Sequence, residues 1–173
     1  MRFKEILLDR AAYRKYHAET GNPFYSQYNV ADYTFARYRV VWKRMANDLI
    51  AAVIAQHKTP FGYKKVIPTD TTALFATESE DEAHYLCAVI NSSVVREFIK
   101  SYSSAGRGFG APSVMKYVGI PKFNAKDKIH KKLAALSATL HECKAAGNAE
   151  GIPGLEQEVD EQVARLFSTG GAE

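Results

Sequence analysis

Between Tyr33 and Arg44 the chain interleaves rings with cations: Tyr33, Phe35, Arg37, Tyr38, Arg39, Trp42, Lys43 and Arg44. A guanidinium forks onto guanine edges or phosphate oxygens, and an aromatic face stacks on an extruded base. A strand points alternate side chains inward, so about half of these residues belong to a core. Lys64, Lys65 and Lys116 add cations further on. The Gly/Ser segment 101–112 carries one charged side chain, Arg107, beside Ser103 and Ser104, which suits contact with phosphate or base. The candidate contact set for a polyanion is therefore Arg37, Tyr38, Arg39, Lys43, Arg44, Lys64, Lys65, Ser103, Ser104, Arg107 and Lys116.

Strings that hint at catalysis lack the context their chemistry needs. Asn22-Pro23-Phe24-Tyr25 approaches the Asn-Pro-Pro-Tyr motif that holds a target amine for methylation, but lacks its second proline and an upstream glycine-rich motif. Gly106-Arg107-Gly108-Phe109-Gly110 lies between a predicted helix and a predicted strand, the reverse of the strand-to-helix order in which amides cradle phosphate. His17, His57, His84, His130 and His141 stand singly, and His141-Glu142 has no second histidine one turn on. His84, His130 and His141 are expected on helix surfaces. No Gly-x-Ser-x-Gly elbow is present. Neither catalytic residues, a metal site nor a cofactor site is assigned to this chain.

The elements that position the cations follow from periodicity. Residues 3–19 predict one amphipathic helix, ended by Gly21-Asn22-Pro23. The chain starts inside this pattern, which predicts a C-terminal piece of a longer protein. Extended structure is predicted across Tyr33, Phe35 and Tyr38 to Trp42, then over Leu49–Gln56, Lys64–Pro68 and Thr71–Thr77, with Pro68-Thr69-Asp70 as a turn. Ser79-Glu80-Asp81-Glu82 is a capping box opening a helix whose apolar face is Ala83, Leu86, Cys87 and Ile90. Asn91-Ser92-Ser93 ends it and starts another, with Val94, Val95, Phe98 and Ile99 at helical spacing. Lys116–Ile120 predicts a last strand. Helices over 127–146 and 155–167, parted by Gly147 and the Gly151-Ile152-Pro153-Gly154 turn, predict a helical hairpin. The fold class is α+β: a mixed, mainly antiparallel sheet with packed helices. Its parts are a connector helix (1–20), a recognition core (21–125) and the hairpin with its tail (126–173).

A length of 173 residues, 46% hydrophobic and 24% charged, gives a core that needs no disulfide or metal staple. Cys87 and Cys143 are far apart, which fits a reducing cytoplasm, and no apolar run is long enough for a membrane. The net charge of +4 is uneven: residues 1–65 hold twelve Lys and Arg against five Asp and Glu, while the remainder is slightly acidic. A basic third on a neutral body either attracts a polyanion or is solvated surface.

The order of segments resembles a known family. Gly21-Asn-Pro-Phe-Tyr25, Tyr33-Thr-Phe-Ala-Arg-Tyr-Arg-Val-Val-Trp-Lys43, Lys65-Val-Ile-Pro68, Asp81-Glu-Ala-His-Tyr-Leu-Cys-Ala-Val-Ile-Asn-Ser-Ser93 and Val118-Gly-Ile-Pro-Lys122 are similar to the TaqI-like C-terminal specificity domain of N6-adenine DNA methyltransferases and fused restriction–modification enzymes. The resemblance runs from about residue 5 to 168. It implies a target-recognition domain that clamps duplex DNA and reads its major groove, in the cytoplasm of a prokaryotic cell. It also implies a methyltransferase catalytic domain, in cis or trans, that binds S-adenosylmethionine. DNA-reading residues vary within that family, so the resemblance transfers none of them. Two alternatives remain open: a protein-docking module using Leu133, Leu136, Leu140, Leu155, Val159, Val163 and Leu166 as an apolar seam, and a small complete enzyme.

Overall fold

The computed structural model describes residues 3–27, 30–68, 71–102 and 110–169. These form two units, one ending at Phe35 and the other starting at Ala36. The first boundary therefore lies some fifteen residues beyond the connector helix predicted from the sequence.

In the first unit the expected single helix divides into α1 (Lys4–Leu8) and α2 (Ala11–Tyr16). The break is Arg10, whose backbone is extended at φ −58°, ψ 134°. Its guanidinium donates to the carbonyls of Leu7 (3.0 Å), Phe24 (3.0 Å) and Ser26 (2.9 Å), bonds that a continuous helix would not bring to one side chain. Tyr13, buried, donates its hydroxyl to the Asn22 carbonyl at 2.8 Å. Residues 32–35, expected extended, form a 3-10 turn instead. There Ala31 N donates to Thr34 Oγ1 at 3.2 Å, and Thr34 N to the Ala31 carbonyl at 2.9 Å, so a threonine side chain closes the turn locally.

The second unit is α+β. Its sheet has the order β2 (Ala51–Ile54), β1 (Tyr38–Lys43), β5 (Thr72–Thr77), antiparallel throughout. Alternation along β1 sends Tyr38, Val40 and Trp42 to one face, where Ala51 and Ala73 flank Trp42 on the neighbouring strands. These five join one buried core with Ala83, Cys87 and Val89 of α3 (Glu80–Asn91), Leu133 and Leu136 of α6 (Lys128–Ala145), and Val159 and Val163 of α7 (Ile152–Thr169). Burying a Val or Leu side chain stabilises by about 1.5–3 kcal/mol, so this shared core makes the helices and sheet one body. The helical hairpin is thus part of the core and not an appendage. Leu133, Leu136, Val159, Val163 and Leu166 are buried, with Leu140 and Leu155 packed against them, so the seam considered for docking is spent within the chain.

The capping box forms by half. Ser79 Oγ accepts from Glu82 N at 3.2 Å, but the Glu82 carboxylate binds the Thr77 hydroxyl instead of reaching back. Thr77 Oγ1 takes the Ser79 N–H at 3.1 Å in its place. Ser92 ends α3, and α4 (Ser93–Tyr102) begins with Ser93 N donating 2.7 Å to the Asp160 carboxylate of α7. Asp127 caps α6, accepting from Ile129 N (2.7 Å) and His130 N (3.1 Å). Those two amides favour its charged form and hold the carboxyl below its ordinary range. The turn expected at 151–154 is instead the first turn of α7, where Pro153 costs no hydrogen bond.

The strand expected at Lys116–Ile120 does not form. Pro112 opens the short helix α5 (Pro112–Met115), and the amides of Tyr117 and Val118 donate back to Val114 (3.0 Å) and Met115 (3.2 Å). With its donors satisfied locally, the segment has nothing to offer a sheet.

Strand β2 lies at the edge of its sheet, yet its outer backbone groups are occupied. Asn91 accepts from Ala51 N (2.8 Å) and donates to the Ala51 carbonyl (2.9 Å). Val53 N donates to His141 Nε2 at 3.0 Å. Two helix side chains therefore stand where a further strand would pair. Among the described residues no helix is long and apolar enough to cross a membrane.

Candidate nucleic-acid interface

Two residues after the end of β2, at Gln56, the chain leaves the three-stranded sheet and makes a ribbon of its own. Strands β3 (Gln56–Thr59) and β4 (Gly62–Lys65) pair antiparallel with each other in the register Gln56↔Lys65, His57↔Lys64, Lys58↔Tyr63 and Thr59↔Gly62. The reason they stand apart is in the composition: neither parity of these strands offers an aliphatic face for a core. The tip is Pro60-Phe61. Proline presets the turn, Thr59 Oγ1 accepts from Phe61 N (3.2 Å) and donates to the Gly62 carbonyl (2.7 Å), and Gly62 takes φ +96°. A residue with a Cβ is strained at that angle, which is the reason glycine follows the tip.

The ribbon carries three lysines, one histidine and no acidic residue. Every residue from Gln56 to Lys65 is exposed except half-buried Thr59, with Phe61 at 89% and Tyr63 at 68%. Strand alternation puts Gln56, Lys58, Tyr63 and Lys65 on one face, and His57, Thr59 and Lys64 on the other. A two-stranded ribbon has the width that the DNA major groove admits.

The residues expected to contact DNA divide among several places. Lys64 and Lys65 lie on the ribbon. Arg37 is exposed at the start of β1, its guanidinium 5.3 Å from the centre of the Tyr38 ring. Because Arg39 pairs with Ile54, this is the end of the sheet from which the ribbon departs. Lys43 and Arg44 are exposed at the opposite end, six residues from Arg37 and therefore roughly 20 Å away. Lys116 is exposed after α5, with its ammonium 4.9 Å from the Tyr117 ring centre. Ser103, Ser104 and Arg107 lie outside the described residues.

Two of the expected contacts must be corrected. Arg39 is fully enclosed at 0% exposure, and its Nη2 donates to the Ala55 carbonyl at 3.0 Å. Burial lowers the pKa of its guanidinium, and the side chain braces the junction between β2 and the ribbon instead of facing solvent. Tyr38 is buried, and its hydroxyl donates 3.0 Å to Glu80 at the start of α3. That hydrogen bond to a carboxylate, with burial, raises its pKa. Conversely, His57, Lys58, Phe61 and Tyr63, which the sequence reading did not single out, lie exposed on the ribbon beside Lys64 and Lys65. Their signal was a Pro-Phe-Gly turn inside ten residues without an aliphatic side chain.

The expected surface position of three histidines is also overturned. His130 is buried, stacked on Tyr85 with ring centres 4.5 Å apart, and accepts from Asn124 N at 3.0 Å. His84 and His141 are half-buried, with their rings edge to face at 5.0 Å. His84 Nδ1 lies 3.1 Å from Ser137 Oγ, and His141 Nδ1 lies 2.8 Å from the Ser137 carbonyl. His141 therefore donates from Nδ1 to the Ser137 carbonyl and accepts the Val53 N–H at Nε2. Burial, followed by the charge of His141, depresses the pKa of His84.

Beside β2 a cleft of about 590 Å³ is lined by Asp48, Arg96, His141, Lys144, Glu156 and Asp160 among others. Its charges neutralise one another: Arg96 lies 3.5 Å from Asp48, Lys144 lies 3.3 Å from Glu156, and Asp160 caps α4. Nearby Cys87 is pushed up to about 11 by burial, far from a nucleophile's range. Asn22, the first residue of the methylation-like string, offers its carbonyl to Tyr13, and its amide Nδ2 lies 3.1 Å from His17. These groups hold structure, whereas the ribbon presents its side chains outward.

No protein-family model and no curated protein matches this chain.

Proposed function

We propose that this chain is a DNA-recognition domain that grips duplex DNA through its β3–β4 ribbon, in the service of a separate adenine-methylating domain. The observation that carries the reading is the ribbon itself: a two-stranded arm outside the core, basic on both faces and free of carboxylates. Each phosphate neutralised by a lysine releases counterions, which favours association. Lys58, Lys64 and Lys65 on the arm, Arg37 near its root, and Lys43 and Arg44 roughly 20 Å away form two cationic stations, a distance of about six base-pair steps along the duplex. The resemblance to TaqI-like specificity domains supports the methyltransferase as partner, with S-adenosylmethionine bound there and not here.

The test is fluorescence anisotropy with a labelled 25-base-pair duplex, titrated with this chain at 50 and at 200 mM salt. Salt-sensitive binding is expected, weakened by removal of the ribbon lysines. Absence of binding at 50 mM salt would refute the reading.

A further inference from the structure

We infer that the Pro60-Phe61 tip is a wedge, which enters between adjacent base pairs and kinks the duplex while the lysines behind it hold the phosphates. The inference rests on the reading of the ribbon as a DNA-gripping arm.

Phe61 is 89% exposed, at the outermost point of an arm that is otherwise polar and basic. An apolar ring held in water gains free energy from any dry surface, and a base step opened from the groove offers one bounded by two flat aromatic faces. Proline and phenylalanine are both residue types that proteins insert as wedges between base steps. The tip is also prepared for the task. Two residues span the strands, the ring of Pro60 fixes one backbone angle, and the Thr59 hydroxyl bonds both sides of Phe61, at its own N–H and at the Gly62 carbonyl. Little conformational freedom remains to be lost on insertion.

The charge distribution selects nucleic acid over an apolar partner protein. Lys58 lies two residues before the tip's proline and Lys64 three residues after its phenylalanine, roughly 7 and 10 Å behind. No carboxylate on the ribbon opposes them. Cations set back from an apolar point match phosphates set outside a stacked interior.

The experiment compares a fully paired duplex with one that carries a central mismatch, using end labels that report bending by energy transfer. A mismatch meets part of the unstacking cost in advance, so this chain is expected to bind it about tenfold more tightly and to bring the duplex ends closer in both cases. Phe61→Ala is expected to lose the preference and the bend while retaining the salt dependence of binding. Phe61→Leu is expected to keep both. Equal affinity for the two duplexes, or an unbent complex, overturns the wedge but leaves the DNA-gripping arm standing. A Phe61→Ala chain that bends DNA like the parent overturns it equally, and assigns the exposed ring to a protein partner. Failure of the parent chain to bind either duplex at 50 mM salt overturns both proposals together.

Discussion

Replacing Lys58, Lys64 and Lys65 together with alanine tests the DNA reading quantitatively. The three side chains are exposed, and their strands pair only with each other among the described residues, so the change should leave folding stability within about 0.5 kcal/mol. The slope of log affinity against log salt is about −0.9 per phosphate neutralised. If each lysine meets one phosphate, the slope becomes shallower by about 2.7. Over the fourfold change from 50 to 200 mM salt, the parent chain should lose about 40-fold more affinity than the variant. The faces can be separated: Lys58 and Lys65 share one with Tyr63, whereas Lys64 sits with His57. Lys58→Ala with Lys65→Ala should remove about 1.8 of the slope and Lys64→Ala at most about 0.9. Anisotropy at five salt concentrations measures this, with Lys128→Ala and Lys131→Ala, exposed on α6, as the control pair. An unchanged slope in the triple variant, or an equal loss in the control pair, would refute phosphate contact by the ribbon.

Three further outcomes are expected. Asn91→Ala strips the partner from the Ala51 amide and leaves the Ala51 carbonyl only the weak Cys87 thiol at 3.5 Å, and should cost about 2–4 kcal/mol in urea unfolding, followed by the fluorescence of Trp42, the one tryptophan. Gly110→Ala would set a Cβ 2.2 Å from the Lys43 carbonyl oxygen, where Trp42 Nε1 already donates 2.8 Å to the Gly110 carbonyl. It should cost about 1–3 kcal/mol and shift the emission of Trp42. Because the pKa of His84 is lowered in the folded chain, the unfolded chain binds its proton first as pH falls. Stability is therefore complete above the unfolded value of about 6.5 and declines as pH drops through the folded one. Urea midpoints at pH 7.5 and 5.5 should show the decline, and His84→Gln should reduce it.

Local signals were legible where the physics is local. Ser79 caps its helix because a short polar side chain reaches the nearest free amide, and no distant residue is needed. The break at Asn91-Ser92-Ser93 was visible for the same reason. Choices that depend on distant partners were not. Lys64 and Lys65 read as extended, but nothing in a strand's own residues reveals whether it joins the main sheet or pairs with its neighbour alone. Arg39 alternates with Tyr38, Val40 and Trp42 and so belongs on the opposite face, yet it too is enclosed. Its partner, the Ala55 carbonyl, lies sixteen residues away. His84, His130 and His141 have the spacing of surface residues. They are drawn inward by Ser137, by the Asn124 amide and by the edge of β2, none of which periodicity can show. In the candidate site, charge composition located the basic third, and the turn at Pro60-Phe61 gave it a shape.

The occupied rim of β2 also bears on how copies of this chain behave in one another's company. A bare rim is a template on which a second molecule can lay a strand, the first step toward fibrous aggregates. Here the amide and imidazole of Asn91 and His141 fill those slots, and both are contributed by helices that belong to the core. Self-association by strand addition is thereby blocked along that side for as long as the helices stay folded, even in crowded solution.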